Sequence, residues 1–262
     1  SGSIGSDFGT LQQAAKNSFV NKFNSGVGGD RFGLVSFASG AVLDVPIDRT
    51  ARRGFDRTAV VNAISVLNAH GSTASAEGIR KGLDELNAVP PEHRSSLRVI
   101  LFFSDGAPNI VNGTFLLDPS GTLSGNLYSK TPTDPPTTPS DLCSADQRDG
   151  GWAHYSNIVQ LPSQGSGTVP LASFNNRRTF TGATYAQPYP YENSRCNVNK
   201  AARNMVENIA NSARGQDIRI YSIGLGAALN ALEIDFCGYD QATERGSTIM
   251  KRLANTADSD TL

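Results

Sequence analysis

Three short polar pieces carry the residues best suited to chemistry: Ser1-Gly2-Ser3, Gly71-Ser72-Thr73 and Ser104-Asp105-Gly106. Their side chains are hydroxyls and a single carboxylate, and none is a soft metal ligand. Neutral hydroxyl oxygens beside a carboxylate suit a hard divalent cation such as Mg²⁺, which takes oxygens in near-octahedral array and keeps several waters. Mn²⁺ and Ca²⁺ share the preference for oxygen. Such a shell leaves the ion under-neutralised.

Competing chemistries find less support. A serine hydrolase wants a nucleophile elbow, G-x-S-x-G, and the chain has none. Gly224-Leu225-Gly226 lacks the third glycine of a dinucleotide fingerprint, and no phosphate-loop lysine follows a glycine-rich run. The three cysteines, Cys143, Cys196 and Cys237, show no C-x-x-C spacing, which argues against zinc. With 23 basic and 24 acidic side chains the formal charge is −1, so nothing asks for nucleic acid as a partner. No run of apolar residues is long enough to span a membrane.

The elements that must position these pieces are legible from periodicity. Residues 31–39, RFGLVSFAS, read as a buried strand, and residues 41–47, AVLDVPI, as its antiparallel partner with Pro46 at an edge position. LRVILFFSDG (97–106) is the strongest strand, closed by Asp105-Gly106, and DIRIYSIGLG (217–226) is a second of the same kind. Between them, apolar residues recur at three- and four-residue steps over 7–23, 56–67, 75–88 and 198–213, the pattern of amphipathic helices, and a last helix is expected over 246–256. Strands alternating with helices predict an α/β fold: a three-layer, doubly wound, mostly parallel sheet with helices on both faces. In such sheets ligands sit outside the carboxyl ends of the strands. The second and third polar pieces lie where they would reach that rim.

Residues 107–197 break the pattern. They hold ten of the thirteen prolines and five of the seven tyrosines, with no helical period. The expectation is a single domain over 1–262 with a long, loop-rich insertion at about 107–197. Because the insertion leaves directly after Asp105, its aromatic residues Trp152, Tyr155, Tyr185, Tyr189 and Tyr191 are candidates for contacting a partner. Cys143 and Cys196 both fall in it. In an oxidising setting a bridge between them would tie the long loop, and otherwise they are two free thiols.

The three pieces resemble the metal-ion-dependent adhesion site of von Willebrand factor A domains, whose pattern is D-x-S-x-S, a separate Thr, and a separate Asp before Gly. Ser1 and Ser3 match the two serines, Thr73 the threonine within GST, and Asp105 the second aspartate within FFSDG. The resemblance covers roughly residues 1–106 and 198–256. It implies that Ser1, Ser3, Thr73 and Asp105 hold Mg²⁺, or Mn²⁺ or Ca²⁺ in its place, and that a protein partner offers a carboxylate to the ion. The aspartate that opens the pattern would lie two residues before Ser1, so the first strand of the fold is expected to be missing from this sequence and metal affinity to suffer.

The texture, including MKRLANTADSD (250–260), looks closest to the bacterial branch linked to tight-adherence pilus assembly, the TadG-like proteins. That implies a non-enzymatic adhesion domain of the cell surface or envelope, membrane-anchored in a full-length protein. An alternative is an intracellular assembly subunit, like the modules of chelatase complexes that contact an ATPase, which an oxidised Cys143–Cys196 pair would oppose. A hydrolase using metal-bound water is the weakest reading, because no base stands near the rim.

Overall fold

The structure is a computed structural model, and it describes residues 2–117, 122–128, 142–143, 153–154, 158–162, 168–170, 191–230 and 245–254. The chain enters through a 3-10 turn at Gly2–Asp7, helix α1 (Phe8–Ala14), a wider π turn at Ala15–Phe19 and a closing 3-10 turn at Val20–Lys22. The sequence pattern predicts one helix over 7–23; the chain kinks at Gly5, whose φ is +53°, and the winding then changes from α to π to 3-10 between Phe8 and Lys22. The apolar stripe survives: Val20 is fully buried with Val60 and Ile64, and Phe19 meets Phe23 edge-on at 5.1 Å.

Strands β1 (Leu34–Phe37) and β2 (Ala41–Val45) form the expected hairpin, with Phe37 opposite Ala41 and Val35 opposite Leu43. Helix α2 (Arg57–Val66) starts where Asp56 Oδ1 accepts the Ala59 amide at 3.1 Å, satisfying one of the donors a helix start leaves open. Helix α3 (Ser75–Ala88) buries Ala76, Ile79 and Leu83 on one face. Gly78 lets it lie close on β1, for a Cβ there would come within 2.9 Å of the Phe37 ring.

Strand β3 (Arg98–Ser104) pairs in parallel with a strand much later in the chain, Ile218–Gly224, from Arg98 opposite Ile218 to Ser104 opposite Gly224. Successive residues of β3 point to opposite faces. Phe102 faces the main core, where Ile79, Met205, Ile209, Ile220, Ile249 and Leu253 meet, while Phe103 faces the opening helical segment and meets Phe19 at 6.0 Å. Helical layers therefore cover both faces of the β3 pair, as an α/β three-layer fold requires. The hairpin and the β3 pair are separate two-stranded sheets, so the parallel sheet among the described residues is narrower than the pattern suggests. Side chains join them: the Phe37 and Phe102 rings stack at 5.2 Å, nearly coplanar at 11°.

The segment expected as loop is a second sheet where it is described. Strands β4 (Ile110–Leu117) and β5 (Thr122–Tyr128) form an antiparallel hairpin, joined by β6 (Leu142–Cys143), β7 (Ala153–His154), β8 (Ile158–Pro162) and β9 (Thr168–Pro170) in the order β7-β6-β5-β4-β8-β9. The proline count obscured two short runs, IVNGTFLL and TLSGNLY, whose β-branched and aromatic residues favour strands. Ile110 and Val111 are fully buried, so the core continues past the expected boundary at 107. Helix α4 (Tyr191–Arg214) begins before the expected 198, strand β10 is the Ile218–Gly224 partner of β3, and helix α5 (Gly246–Ala254) ends the described chain.

Candidate cation-binding rim

The carboxyl ends of β1 and β3 lie side by side, and polar residues from four loops meet there. Ala38, Ser39 and Gly40 turn the hairpin, with the Ala38 amide donating to the Gly40 carbonyl at 2.8 Å. The loop before α3 docks on this turn. The Ala74 amide donates to the Ala38 carbonyl at 2.8 Å and the Ser72 amide to Ser39 Oγ at 3.2 Å. Gly71 makes the approach possible. Its φ is +68°, and a Cβ would sit 2.7 Å from Ser39 Oγ.

Asp105 follows β3 directly and is 3% exposed, as is Thr73. Ser104 is tied down locally: its hydroxyl donates to the Gly106 carbonyl at 2.9 Å and lies 3.3 Å from the Gly106 amide, which donates to it. The Ser104 carbonyl accepts the Leu225 amide at 2.9 Å, anchoring the rim to the end of β10. The chain beyond Asp105 then folds back. The Thr73 amide donates to Asn109 Oδ1 at 2.8 Å, the Asn109 amide donates to the Thr73 carbonyl at 3.2 Å, and Asn112 Nδ2 donates to the Ser39 carbonyl at 3.2 Å.

Thr73 is thus held by the loop that follows Asp105, and both residues are buried. Of the other expected ligands, Ser1 lies outside the described residues, and Ser3 is placed only as part of the opening turn, its side chain lying outside them. Trp152, Tyr155, Tyr185 and Tyr189 lie outside the described residues, as do the side chains of Tyr191, which opens α4, and of Cys143 and Cys196. Ser39, Ser75, Asn109 and Asn112 were missed. Ser39 and Asn109 sit in the loops that follow β1 and β3, Ser75 is the first residue of α3, and Asn112 lies within β4. Asn112 also opens an N-x-T glycosylation pattern, but it is 7% exposed with its amide engaged in the rim, which disfavours modification.

The donor chemistry fits a hard cation. Ser75 Oγ and Asn112 Oδ1 are buried oxygens without a hydrogen-bond partner. Buried polar oxygens are rarely left so, and a cation or water is the usual reason. Among the described residues no three His, Cys, Asp or Glu side chains converge, so an ion here would draw on hydroxyls and water beside the Asp105 carboxylate. Glu77, on the first turn of α3, accepts from the Ala41 amide, and burial holds its carboxyl above the usual range despite nearby Lys81 and Arg80.

The domain is a three-layer α/β fold with a polar rim of hydroxyls, side-chain amides and carboxyls. Residues 1–107 match the family model of the von Willebrand factor type A domain. No curated protein matches. Among solved structures, the pilus adhesin SpaC from Lactobacillus rhamnosus GG shares 14% identity at a TM-score of 0.48, covering 100% of this chain and 27% of that one. The von Willebrand factor domain of the type V pili tip protein Mfa5 from Porphyromonas gingivalis shares 16% identity at a TM-score of 0.46, covering 98% and 90%. No described helix is long and apolar enough to cross a membrane.

Proposed function

We propose that this chain is an adhesion domain that recognises a protein partner through a divalent cation, Mg²⁺ first and Mn²⁺ or Ca²⁺ in its place. One observation carries the reading: Thr73, on the loop docked against the β1–β2 turn, and Asp105, directly after β3, are far apart in sequence and both buried, within the stretch 1–107 that matches the von Willebrand factor type A model. Thr73 and Asp105 would hold the ion with Ser1 and Ser3. When bound, the ion supplies a Lewis-acidic position for a carboxylate from the partner. The domain's own residues orient the ion and keep the rim dry on its inner side. Recognition, not catalysis, is the assigned role. The setting proposed is the bacterial cell surface, in pilus assembly of the TadG-like kind, on the strength of the resemblance in the last helix and its tail.

Calorimetric titration with Mg²⁺ and Mn²⁺ tests this, on residues 1–262 and on a version in which an aspartate stands two residues before Ser1. The expected outcome is saturable binding, tighter with the added aspartate, that Asp105→Ala removes. Binding that is indifferent to Asp105→Ala, or absent from both proteins, overturns the reading.

A further inference from the structure

We infer that Asn109 is a positioning residue that holds Thr73 at the rim, an inference that rests on the cation-binding reading above. Thr73 belongs to neither a helix nor a strand: it precedes α3 in an irregular loop. What fixes it is a reciprocal pair of hydrogen bonds. Its amide donates to Asn109 Oδ1 at 2.8 Å, and its carbonyl accepts from the Asn109 amide at 3.2 Å. The backbone is therefore gripped on both sides of the Thr73 Cα. Only χ1 is left to aim the hydroxyl, and a β-branched side chain is stiff there. The grip is effective because Thr73 is 3% exposed, where water competes poorly for the same donors and acceptors.

The position of Asn109 in the chain gives the grip its use. It lies in the loop that leaves β3 with Asp105, so the segment that carries the carboxylate also reaches across to fix the threonine. Asn112, three residues on, extends the link: it donates to the Ser39 carbonyl at 3.2 Å, and Ser39 Oγ accepts from the Ser72 amide at 3.2 Å. The two groups proposed to hold the ion are thereby set relative to each other by side-chain amides as well as by the sheet. Groups behind a metal's ligands commonly change affinity by about 10–100-fold when removed. Asn109 contributes an acceptor. Aspartate provides the same oxygen at the same reach, alanine provides none, and glutamine sets it one methylene too far.

The test combines amide hydrogen exchange at Thr73 with Mg²⁺ and Mn²⁺ titration of Asn109→Ala, Asn109→Asp and Asn109→Gln, with Asp105→Ala alongside. Asn109→Ala is expected to lose protection at the Thr73 amide and to bind the cation about tenfold more weakly. Asn109→Asp is expected to restore both. Should Asn109→Ala not fold, Asn109→Gln is expected to show the same two losses. Cation binding at parental strength in Asn109→Ala or Asn109→Gln, with Asp105→Ala abolishing it, overturns the role of Asn109 and leaves the cation reading standing. Loss of affinity that Asn109→Asp fails to rescue, with the Thr73 amide still protected, also overturns it. Binding unaffected even by Asp105→Ala means the cation reading has failed, and the inference falls with it.

Discussion

Thr73 and Asp105 reach the rim by different routes, and the difference predicts how each fails. Asp105 is placed by β3, whose ladder to β10 runs unbroken from Arg98 to Ser104. Replacing it should leave the strand intact, so Asp105→Ala is expected to lose cation binding in calorimetry while its circular dichroism stays that of the parent. Thr73 is held by hydrogen bonds to Asn109 rather than by a strand ladder. Thr73→Ser keeps the hydroxyl but frees χ1, and is expected to bind more weakly than the parent yet more strongly than Thr73→Ala, which lacks the oxygen. Equal affinity for all three would show that the hydroxyl does not touch the ion.

At the scale of elements, α3 is the piece that joins hairpin, β3 pair and rim. Its Gly78 sits against the Phe37 ring, which stacks on Phe102 across the two sheets. Gly78→Ala would push a methyl to 2.9 Å from that ring. Overpacking of this kind costs about 1–3 kcal/mol, and urea unfolding of the variant should show it. The same helix carries Glu77, whose carboxyl is held above the ordinary 4.5 chiefly by burial, with Lys81 and Arg80 acting the other way. The folded pKa lies above the unfolded one, so stability is lost as pH rises through the folded value. Glu77→Gln is therefore expected to raise the thermal midpoint at pH 7, with the gain vanishing as the pH falls toward the unfolded value. A gain that grows on acidification would refute the sign.

Across the whole molecule, the rim and the second sheet meet at Ile110, Val111 and Asn112, which are buried although they open the segment expected as an insertion. A deletion meant to remove the insertion must therefore spare them. Replacing residues 113–190 by a short Gly-Ser linker keeps Asn109, Asn112 and α4. Circular dichroism is expected to retain the helical signal and calorimetry the cation affinity, since Thr73 and Asp105 lie outside the deleted stretch. Loss of cation binding in a folded deletion variant would mean that the second sheet itself builds the rim.

Local pattern was enough for every element whose signal is periodic. The strands at 34–37, 41–45, 98–104 and 218–224, and the helices that alternate with them, follow from runs of Val, Ile, Leu and Phe at steps of two or of three and four. The same pattern pointed to Thr73 and Asp105, because a polar residue just past a buried strand or just before a helix must surface at a sheet end. Strand content in residues 107–197 was not legible: prolines and glycines mask short strands, and pairing such as Leu116 with Gln160 depends on partners far along the chain. Nor were Ser39, Asn109 and Asn112 legible as parts of one rim. Their roles rest on hydrogen bonds between loops, and sequence carries no record of which loops will face each other. Composition and periodicity determined the layers of this protein. Tertiary structure alone decided which polar atoms meet at their edge, because only folding brings the ends of β1 and β3 together.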